Sequence, residues 1–425
     1  MQRKYDIAIV GGGAAGLMAA IHAAQAGVRV ALFEKNSFCG KKINITGKGR
    51  CNITNTRPWT EFAPHVHPVS AFLRSAFYHF SNEALLEMLH RIGLETVVER
   101  GERVYPRSMQ ARDVSKALTA HALALGVEIL YDCEVLRVEP APDALCCTLA
   151  LSQPLLRTET VRAEAVIVAT GGLSYPSTGS TGRGYEIARD FGHSIVETFP
   201  SLTALMPEHY DRDLIGIELK NVALQLFIDR DPVQLEEGEM AFTDGGIEGA
   251  LGFRISRKAV AALRRKQRVE VVLDLKPGLS MPQLEARLDR ELAALHATRE
   301  ELGATKLKAL LQTLMPGRLI APFLHANPDL NGRNLARRLK EWRWRIVGHT
   351  GYERAVVTAG GVSQKELIAK TMRSRLNDRL YFAGEVIDLD GDTGGYNLQI
   401  AFSTGALAGA SAAQQILKQR AGKPA

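Results

Sequence analysis

Cysteine is scarce in this chain of 425 residues, and its spacing argues against two common kinds of site. The five cysteines are an odd number without a Cys-x-x-Cys pair: Cys39, Cys51, Cys133, Cys146 and Cys147. Disulfide-stapled secreted domains carry even sets, so we expect free thiols in a reducing cytoplasm. No cysteine or histidine cluster has the spacing of zinc ligands, and we predict no structural metal.

Long uncharged runs are also few, and the one at residues 7–28 does not have the pattern of a membrane segment. Three consecutive glycines, Gly11 to Gly13, and an immediate return to a strand argue against a signal peptide and a membrane helix. Hydrophobic content of 46% and charged content of 23% are typical of a globular protein, long enough here for two or three domains.

The first forty residues contain a complete strand, glycine turn, helix and strand. The first strand ends at Val10, the turn reads GGGAAG, and the second strand, residues 28–33, is followed by Glu34. In such βαβ units the helix N-terminus offers N–H groups to a pyrophosphate, and the acid accepts hydrogen bonds from the ribose. The pattern predicts an adenine dinucleotide site, and the acid disfavours the 2′-phosphate of NADP.

The glycines of this turn have separate predicted roles. Gly11 makes the tight turn, Gly13 lets the backbone approach the pyrophosphate, and Gly16 lets the helix lie close to the strand. The loop at residues 39–56, CGKKINITGKGRCNITNT, follows directly and is rich in donors, which places it near the far end of the ligand. A solvated basic loop is the alternative.

The end of the chain returns to glycine-punctuated strands. One strand ends at Gly384 and Glu385, whose carboxylate suits a polyol hydroxyl, and Gly394 and Gly395 precede a closing helix. The N-terminus of that helix would direct N–H groups at an electron-rich ring edge. A ligand held at both ends of the chain is long, so FAD fits better than NAD.

The middle of the chain changes character from Phe199. Short alternating strands up to Leu275 predict a small β domain, and a helical period over residues 281–325 predicts a helical subdomain. We therefore predict an α/β fold with a two-dinucleotide-type, Rossmann-like FAD-binding domain, an inserted β domain and a small helical subdomain. The predicted bounds are 1–198 and 352–425 for the FAD domain, 199–276 and 335–351 for the β domain, and 277–334 for the helical subdomain.

A net charge of +7 indicates a polyanionic partner without proving one. Trp342, Trp344 and Ile346 alternate with charged residues, which predicts a strand with a core face and a basic face. The candidate polyanion contacts near this strand are Arg333, Arg337, Arg338, Arg343 and Arg345. A solvated face is the alternative.

Five motifs in order also carry a family resemblance. They are GGGAAG with Glu34, GKKINITGKGRCNITN, ATGG at 169–172, VTAGGV at 357–362 and FAGEVIDLDGDTGGYNLQIAFSTG at 382–405. The chain resembles the BaiN/RdsA family of bacterial FAD-dependent oxidoreductases, which implies an FAD domain built from both chain ends. With the residues derived above, the candidate FAD-binding set is Gly11, Gly13, Ala14, Ala15, Gly16, Glu34, Lys35, Lys42, Thr46, Gly47, Gly49, Arg50, Asn52, Val135, Thr170, Gly171, Gly384, Glu385, Gly394, Gly395, Tyr396 and Asn397.

The resemblance implies several activities, since the family includes a ribosomal RNA dihydrouridine synthase, an aminoacetone oxidase and a bile-acid flavin reductase. Our first hypothesis is that NAD(P)H reduces FAD, which reduces a uridine of 23S ribosomal RNA to dihydrouridine. The alternatives are an oxidase of a small amine such as aminoacetone, and a flavin-bound ribosome-associated protein without turnover.

The first hypothesis needs a proton donor near the flavin, and Cys51 is the candidate from the sequence. A thiol that only packs against the flavin is the alternative. Arg50 or Lys48 could hold a phosphate or the flavin N1–O2 edge, so Arg50 joins Cys51 as a catalytic candidate.

Overall fold

The computed structural model describes residues 3–152 and 157–422. The chain divides into two compact units, Met1–Phe199 with Val357–Ala425 and, inserted between them, Pro200–Val356. The alternation of residues 139–162 predicts an antiparallel meander, and residues 153–156 of that stretch lie outside the described residues. No described helix combines the length and apolar character needed to cross a membrane.

The first segment of the chain supplies most of the first unit. Its strands are β1 Lys4–Val10, β2 Val30–Phe33, β3 Thr54–Asn55, β4 Val66–His67, β5 Thr96–Glu99, β6 Arg103–Pro106, β7 Glu128–Leu130, β8 Cys133–Ala141, β9 Ala144–Leu151, β10 Arg157–Val168 and β11 Ile195–Ser201. Its helices are α1 Ala14–Gln25, α2 Trp59–Phe62, α3 Ser70–His79, α4 Asn82–Arg91, α5 Ala111–Ala124 and α6 Arg183–Asp190. The predicted strand, turn, helix and strand at the N-terminus are present as β1, α1 and β2.

The second unit contains a closed barrel in the order β12-β15-β14-β13-β16-β17. Its strands are β12 Leu205–Pro207, β13 Glu218–Ile228, β14 Asp231–Thr243, β15 Gly246–Glu248, β16 Val269–Asp274 and β17 Trp342–His349. Its helices are α7 Gly249–Arg264, α8 Met281–Ala294, α9 Ala304–Leu314, α10 Gly317–Ala326 and α11 Leu335–Lys340. The sequence interpretation of residues 200–275 as short strands missed α7, which is 16 residues long.

Strand β17 has the predicted two faces. Trp342, Trp344 and Ile346 are buried, whereas Arg343 and Arg345 are exposed. The two tryptophan rings lie 4.5 Å apart between centroids, so they pack in the core of the second unit.

The last segment completes the first unit with β18 Val357–Val362, β19 Leu367–Ile368, β20 Arg373–Ser374, β21 Leu380–Phe382, β22 Asp390–Gly391 and α12 Tyr396–Ala421. The main sheet runs β19-β20-β21-β10-β1-β2-β7. β2, β1, β10 and β21 are parallel neighbours, with Ala8 paired to Ala31 and to Val166. Their carboxyl ends therefore meet at one edge, where ligands bind in open α/β sheets.

Helix α12 lies directly on α1 through small residues. A Cβ added at Gly405 would lie 2.2 Å from the Ala15 carbonyl oxygen, and one at Gly409 would lie 2.2 Å from that of Ala19. Near the far end of α12, Arg420 pairs with Asp6 and Glu164. The glycine contacts hold α12 against α1, and the ion pairs of Arg420 hold it against β1 and β10.

Candidate functional site

The glycine turn after β1 has the geometry that its predicted roles require. Gly11 has a φ of +100°, and a Cβ there would lie 2.7 Å from the Ala169 carbonyl oxygen. A Cβ at Gly16 would lie 1.8 Å from the Gly11 carbonyl oxygen, whereas one at Gly13 would meet nothing within 4 Å. Gly11 and Gly16 are thus required by the protein's own packing, while Gly13 faces an open cradle at the helix N-terminus.

Glu34 lies directly after β2 and is buried. Its Oε2 accepts a hydrogen bond from the Gly12 N–H at 2.8 Å, and its Oε1 accepts from the Asn36 N–H at 2.7 Å. Burial and the charge of Glu34 together raise the pKa of the Cys39 thiol to about 12. The Asn36 Nδ2 also donates to Oε1, at 2.6 Å, so about one of the four acceptor positions of the carboxylate remains for a ribose hydroxyl.

The loop at residues 39–56 contains a kinked 3₁₀ segment, Ile43–Gly49, whose backbone is non-helical from Thr46 to Lys48. Arg50 lies over the Tyr105 ring, 4.7 Å from its centroid, and pairs with Glu99 at 3.5 Å. Cys51 is fully buried, and burial raises its pKa to about 12. The thiol is therefore protonated near neutral pH, and its enclosure by protein favours the packing role over proton donation.

Glu385 joins three parts of the first unit. It accepts hydrogen bonds from Lys42 Nζ at 2.9 Å, from Ser174 Oγ at 2.6 Å and from the Thr358 N–H at 2.9 Å. Although burial opposes ionisation, the Lys42 ammonium and the hydrogen bonds from Ser174 and Thr358 lower the pKa of Glu385. The neighbouring Gly384, at a φ of +75°, lies against Ala15 in α1. The pair of Lys42 and Glu385 is thus fixed beside the glycine turn.

The N-terminus of α12 forms the other end of the candidate site. Gly395 precedes the helix at a φ of +90°, and a Cβ there would lie 2.4 Å from the carbonyl of Thr54. The Asn397 side chain bonds both backbone groups of Gly391, with Oδ1 accepting at 2.8 Å and Nδ2 donating at 2.7 Å. Asn397 therefore shapes the approach to the helix, whose first-turn N–H groups suit an electron-rich edge.

The remaining candidates lie around the same sheet edge. Val135 is buried in β8, and Lys35 Nζ donates to Thr181 Oγ1 at 3.0 Å. Gly171, directly after Thr170, has a φ of +72°, and a Cβ there would lie 2.9 Å from Ser180 Oγ. Both chain ends therefore supply backbone donors and polar side chains to the first unit.

Sequence reasoning missed a second polar cluster next to the start of α12. Asp392 Oδ2 lies 2.8 Å from His65 Nδ1, and Asp392 Oδ1 lies 3.1 Å from His67 Nε2. Burial raises the pKa of Asp392, but the hydrogen bonds to His65 and His67 outweigh it and lower that pKa to about 2. No local signal reveals this cluster, because Asp392 is 327 residues from His65.

The predicted basic face is paired with acidic side chains. Arg343 lies 3.7 Å from Glu270, and Arg345 lies 3.5 Å from Glu208. Arg333 likewise pairs with Glu300 at 3.6 Å, and Arg338 pairs with Asp329 at 2.7 Å. The sequence shows the arginines of β17 but not the acids that the fold brings to them.

Comparisons with known proteins found a matching family and similar relatives over nearly the whole length of this chain. The profile of the family described as HI0933-like protein Rossmann domain matches residues 5–411. A 3-dehydro-bile acid delta(4,6)-reductase of Clostridium scindens is 33% identical, over 96% of this chain and 99% of the relative. A ribosomal RNA dihydrouridine synthase of Escherichia coli is 30% identical, over 94% of this chain and 96% of the relative.

Among solved structures, a 3-ketosteroid-delta4-(5alpha)-dehydrogenase from Rhodococcus jostii in complex with 4-androstene-3,17-dione has the same fold. The TM-score is 0.51 at 16% identity, with 97% of each chain covered. A 3-ketosteroid delta1-dehydrogenase from Sterolibacterium denitrificans gives a TM-score of 0.52 at 13% identity, covering 97% of this chain and 100% of that one. These similarities establish the α/β fold with its inserted domain.

Proposed function

Because this chain belongs to the HI0933-like Rossmann-domain family and is an FAD-dependent oxidoreductase, we propose that it reduces a carbon–carbon double bond conjugated to a carbonyl. The observation that carries the proposal is the pair of helix N-termini, α1 and α12, which the two chain ends bring to one edge of the sheet. Two of the relatives named above are a bile acid reductase and a dihydrouridine synthase. Saturation of a conjugated double bond is the chemistry common to both names.

The residues of the first unit fit FAD. Gly13 leaves an open cradle at α1 for the pyrophosphate, and Glu34 retains an acceptor position for the ribose. The start of α12 at Gly395 suits the flavin ring edge, with Lys42 and Glu385 between the two ends. Bound FAD would supply reversible two-electron transfer, and the protein would hold, orient and shield it.

For the substrate, we infer a uridine of 23S ribosomal RNA, with NADH or NADPH as a transient electron donor. The net charge of +7 supports a polyanionic substrate. Arg345 and Glu208 are both exposed and 3.5 Å apart, so exchange of this acid for a phosphate costs little. Arg343 is also exposed, and its buried partner Glu270 keeps Arg268 at 3.0 Å when Arg343 contacts a phosphate. Such a substrate places the reaction in the cytoplasm.

The test begins with the purified protein. Its visible spectrum should show bound flavin, and anaerobic titration with NADH and NADPH should bleach that flavin. Incubation with unmodified 23S ribosomal RNA should then restore the flavin spectrum and add two hydrogens to one uridine, measured by mass spectrometry of the RNA.

Three outcomes would contradict the proposal in different ways. A flavin that neither nicotinamide bleaches would contradict the reductase. If the bleached flavin is reoxidised by a 3-oxo-Δ4,6 bile acid but not by RNA, the bile acid would replace RNA as the proposed substrate. Release of hydrogen peroxide on addition of aminoacetone would favour the amine oxidase.

A further inference from the structure

A histidine–aspartate–histidine cluster lies where α12 begins. The antiparallel pairing of β4 with β22 aligns His67 with Asp390, and the Asp392 N–H donates to the His65 carbonyl at 3.0 Å. The His65 ring stacks on Tyr396, the first residue of α12, with centroids 4.6 Å apart. The cluster is therefore next to the helix end assigned above to the flavin ring.

The hydrogen bonds define the orientation of both rings. An ionised Asp392 only accepts hydrogen bonds, so His65 Nδ1 and His67 Nε2 are both donors. Among the described residues, none lies within hydrogen-bonding distance of His65 Nε2. The side chain of His65 is 36% exposed, more than that of His67 at 28% or Asp392 at 22%. One imidazole nitrogen is thus held by a carboxylate, while the other makes no hydrogen bond to the described residues and belongs to a partly exposed side chain.

We propose that His65, oriented by Asp392 and by stacking on Tyr396, is the proton donor for reduction of the substrate double bond. This rests on the proposed function. The His65 side chain is 36% exposed, so it can deliver a proton from Nε2 and recover it from water, which a fully enclosed Cys51 thiol cannot do as readily. Asp392 is a positioning residue, since it acts on His65 rather than on the substrate.

The step balances as follows. The carbon–carbon π bond breaks, and FAD held in reduced form by the first unit would supply one carbon with a hydrogen and two electrons. The other carbon gains the proton from Nε2 of the His65 imidazolium, whose Nδ1–H remains bonded to Asp392. The substrate is reduced by two electrons, the flavin is oxidised by two, and neutral His65 is protonated again by solvent.

A purely structural role is the alternative, in which the cluster only ties β4 to the segment before α12. The substitution His65→Asn separates the two roles, because the Asn amide can still donate to Asp392 but cannot deliver a proton. The matched control is His67→Gln, which changes the other histidine on the same carboxylate and keeps a donor near the Nε2 position. Each variant is purified as the full-length holoprotein.

Two measurements without turnover come first, namely the ratio of flavin to protein absorbance and the Kd of the oxidised holoprotein for unmodified 23S ribosomal RNA. We expect both to be unchanged in both variants. Bleaching by NAD(P)H should also be unchanged, because it needs no proton at the substrate. Reoxidation of the reduced flavin by the RNA, or by a 3-oxo-Δ4,6 bile acid, should slow by about 10²- to 10⁴-fold in His65→Asn and by less than about threefold in His67→Gln.

The outcomes distinguish this proposal from the proposed function. If the reduced wild-type protein passes electrons to neither acceptor, the proposed function fails and the proton donor with it. If the wild type does so and His65→Asn is equally fast, only the assignment of His65 is wrong. Equal slowing in the two variants, or loss of flavin or RNA affinity in His65→Asn, would establish the structural role instead.

Discussion

At the scale of single residues, the glycines of one turn differ in what surrounds them. Gly16 has no room for a side chain, because a carbonyl oxygen of its own turn occupies the Cβ position. At Gly13, by contrast, an added Cβ would meet nothing within 4 Å. The need for glycine at position 16 is therefore explained by folding, and the need for glycine at position 13 by a bound ligand.

This contrast leads to a prediction for two variants of the turn. Gly16→Ala should fail to yield folded protein, since its Cβ would lie 1.8 Å from a backbone oxygen. Gly13→Ala should fold with an unchanged melting temperature as apoprotein but should purify with less FAD, because the methyl group enters the cradle. Gly317→Ala is the control, since its Cβ also meets nothing within 4 Å. Full FAD content in Gly13→Ala would contradict the placement of the pyrophosphate.

A second prediction concerns stability and pH at Asp392. Its folded-state pKa of about 2 lies below the ordinary value of 3.8, so its stabilising contribution is present above about pH 4 and is lost as pH falls towards 2. Asp392→Asn should lower the free energy of unfolding at pH 7 by about 2 kcal/mol, measured by urea denaturation.

The difference between this variant and the wild type should narrow as pH falls below 4. Asp190→Asn, at an exposed carboxylate, is the control and should change the free energy by less than about 0.5 kcal/mol. A difference that is the same at pH 7 and pH 3 would show that the charge of Asp392 is not what stabilises the cluster.

The sequence predicted the dinucleotide turn because all its parts are local and follow one another within forty residues. It could not predict the cluster of His65, His67 and Asp392, because the chain contacts that form it span more than three hundred residues. It also proposed Cys51 as a proton donor from its place in a polar loop. Periodicity does not show that such a thiol is enclosed on all sides.

At the scale of elements, the packing of α12 on α1 depends on close approach of the two backbones. Gly405 and Gly409 are one turn apart and face Ala15 and Ala19, which are also one turn apart. Small residues at this spacing let helices approach closely. The position of each helix N-terminus therefore depends on the packing of that helix against the other one.

We predict that Gly409→Ala lowers both stability and cofactor content. Its Cβ would lie 2.2 Å from a backbone oxygen, and such overpacking costs about 1–3 kcal/mol. Thermal melting and the flavin-to-protein absorbance ratio are the measurements. Gly422→Ala, just after the same helix, is the control because its nearest contact is 3.4 Å. A variant with normal melting and normal flavin would contradict the close contact.

The arginine face of β17 yields a prediction for RNA binding. If Arg343 and Arg345 each contact a phosphate, Arg343→Gln with Arg345→Gln should weaken RNA binding on all sequences alike. The slope of log affinity against log salt should then fall by about 2. In the control pair, Arg265→Gln with Arg290→Gln, the first residue follows α7 and the second lies in α8, and both are exposed in the same unit. This pair should leave the slope unchanged. An unchanged slope in the β17 pair would place the RNA elsewhere.

The same strand shows what periodicity can and cannot predict. Alternation predicted the buried tryptophans because a strand has a period of two. It could not predict that Glu270 and Glu208 pair with the exposed arginines, since these acids come from other parts of the chain. Helix α7 was missed because the glycines before it suggested continued short strands.

At the scale of the whole molecule, one unit is made from the two ends of the chain and the other from its middle. The candidate cofactor site described above lies wholly in the first unit. The sequence predicted a split domain because glycine-rich strands recur at both ends. The second unit therefore interrupts the cofactor domain in the sequence, and none of the residues assigned to FAD binding comes from it.

The pairing of α1 with α12 also has a consequence for the timing of biosynthesis. The glycine turn leaves the ribosome early, whereas Gly394 follows Gly13 by about 380 residues. At about 5–20 residues per second, the nascent chain carries only the adenosine half of the site for roughly 20–80 s. FAD would then be captured only after the closing helix emerges. A shortage of FAD would therefore affect chains whose closing helix has left the ribosome, and not shorter nascent chains.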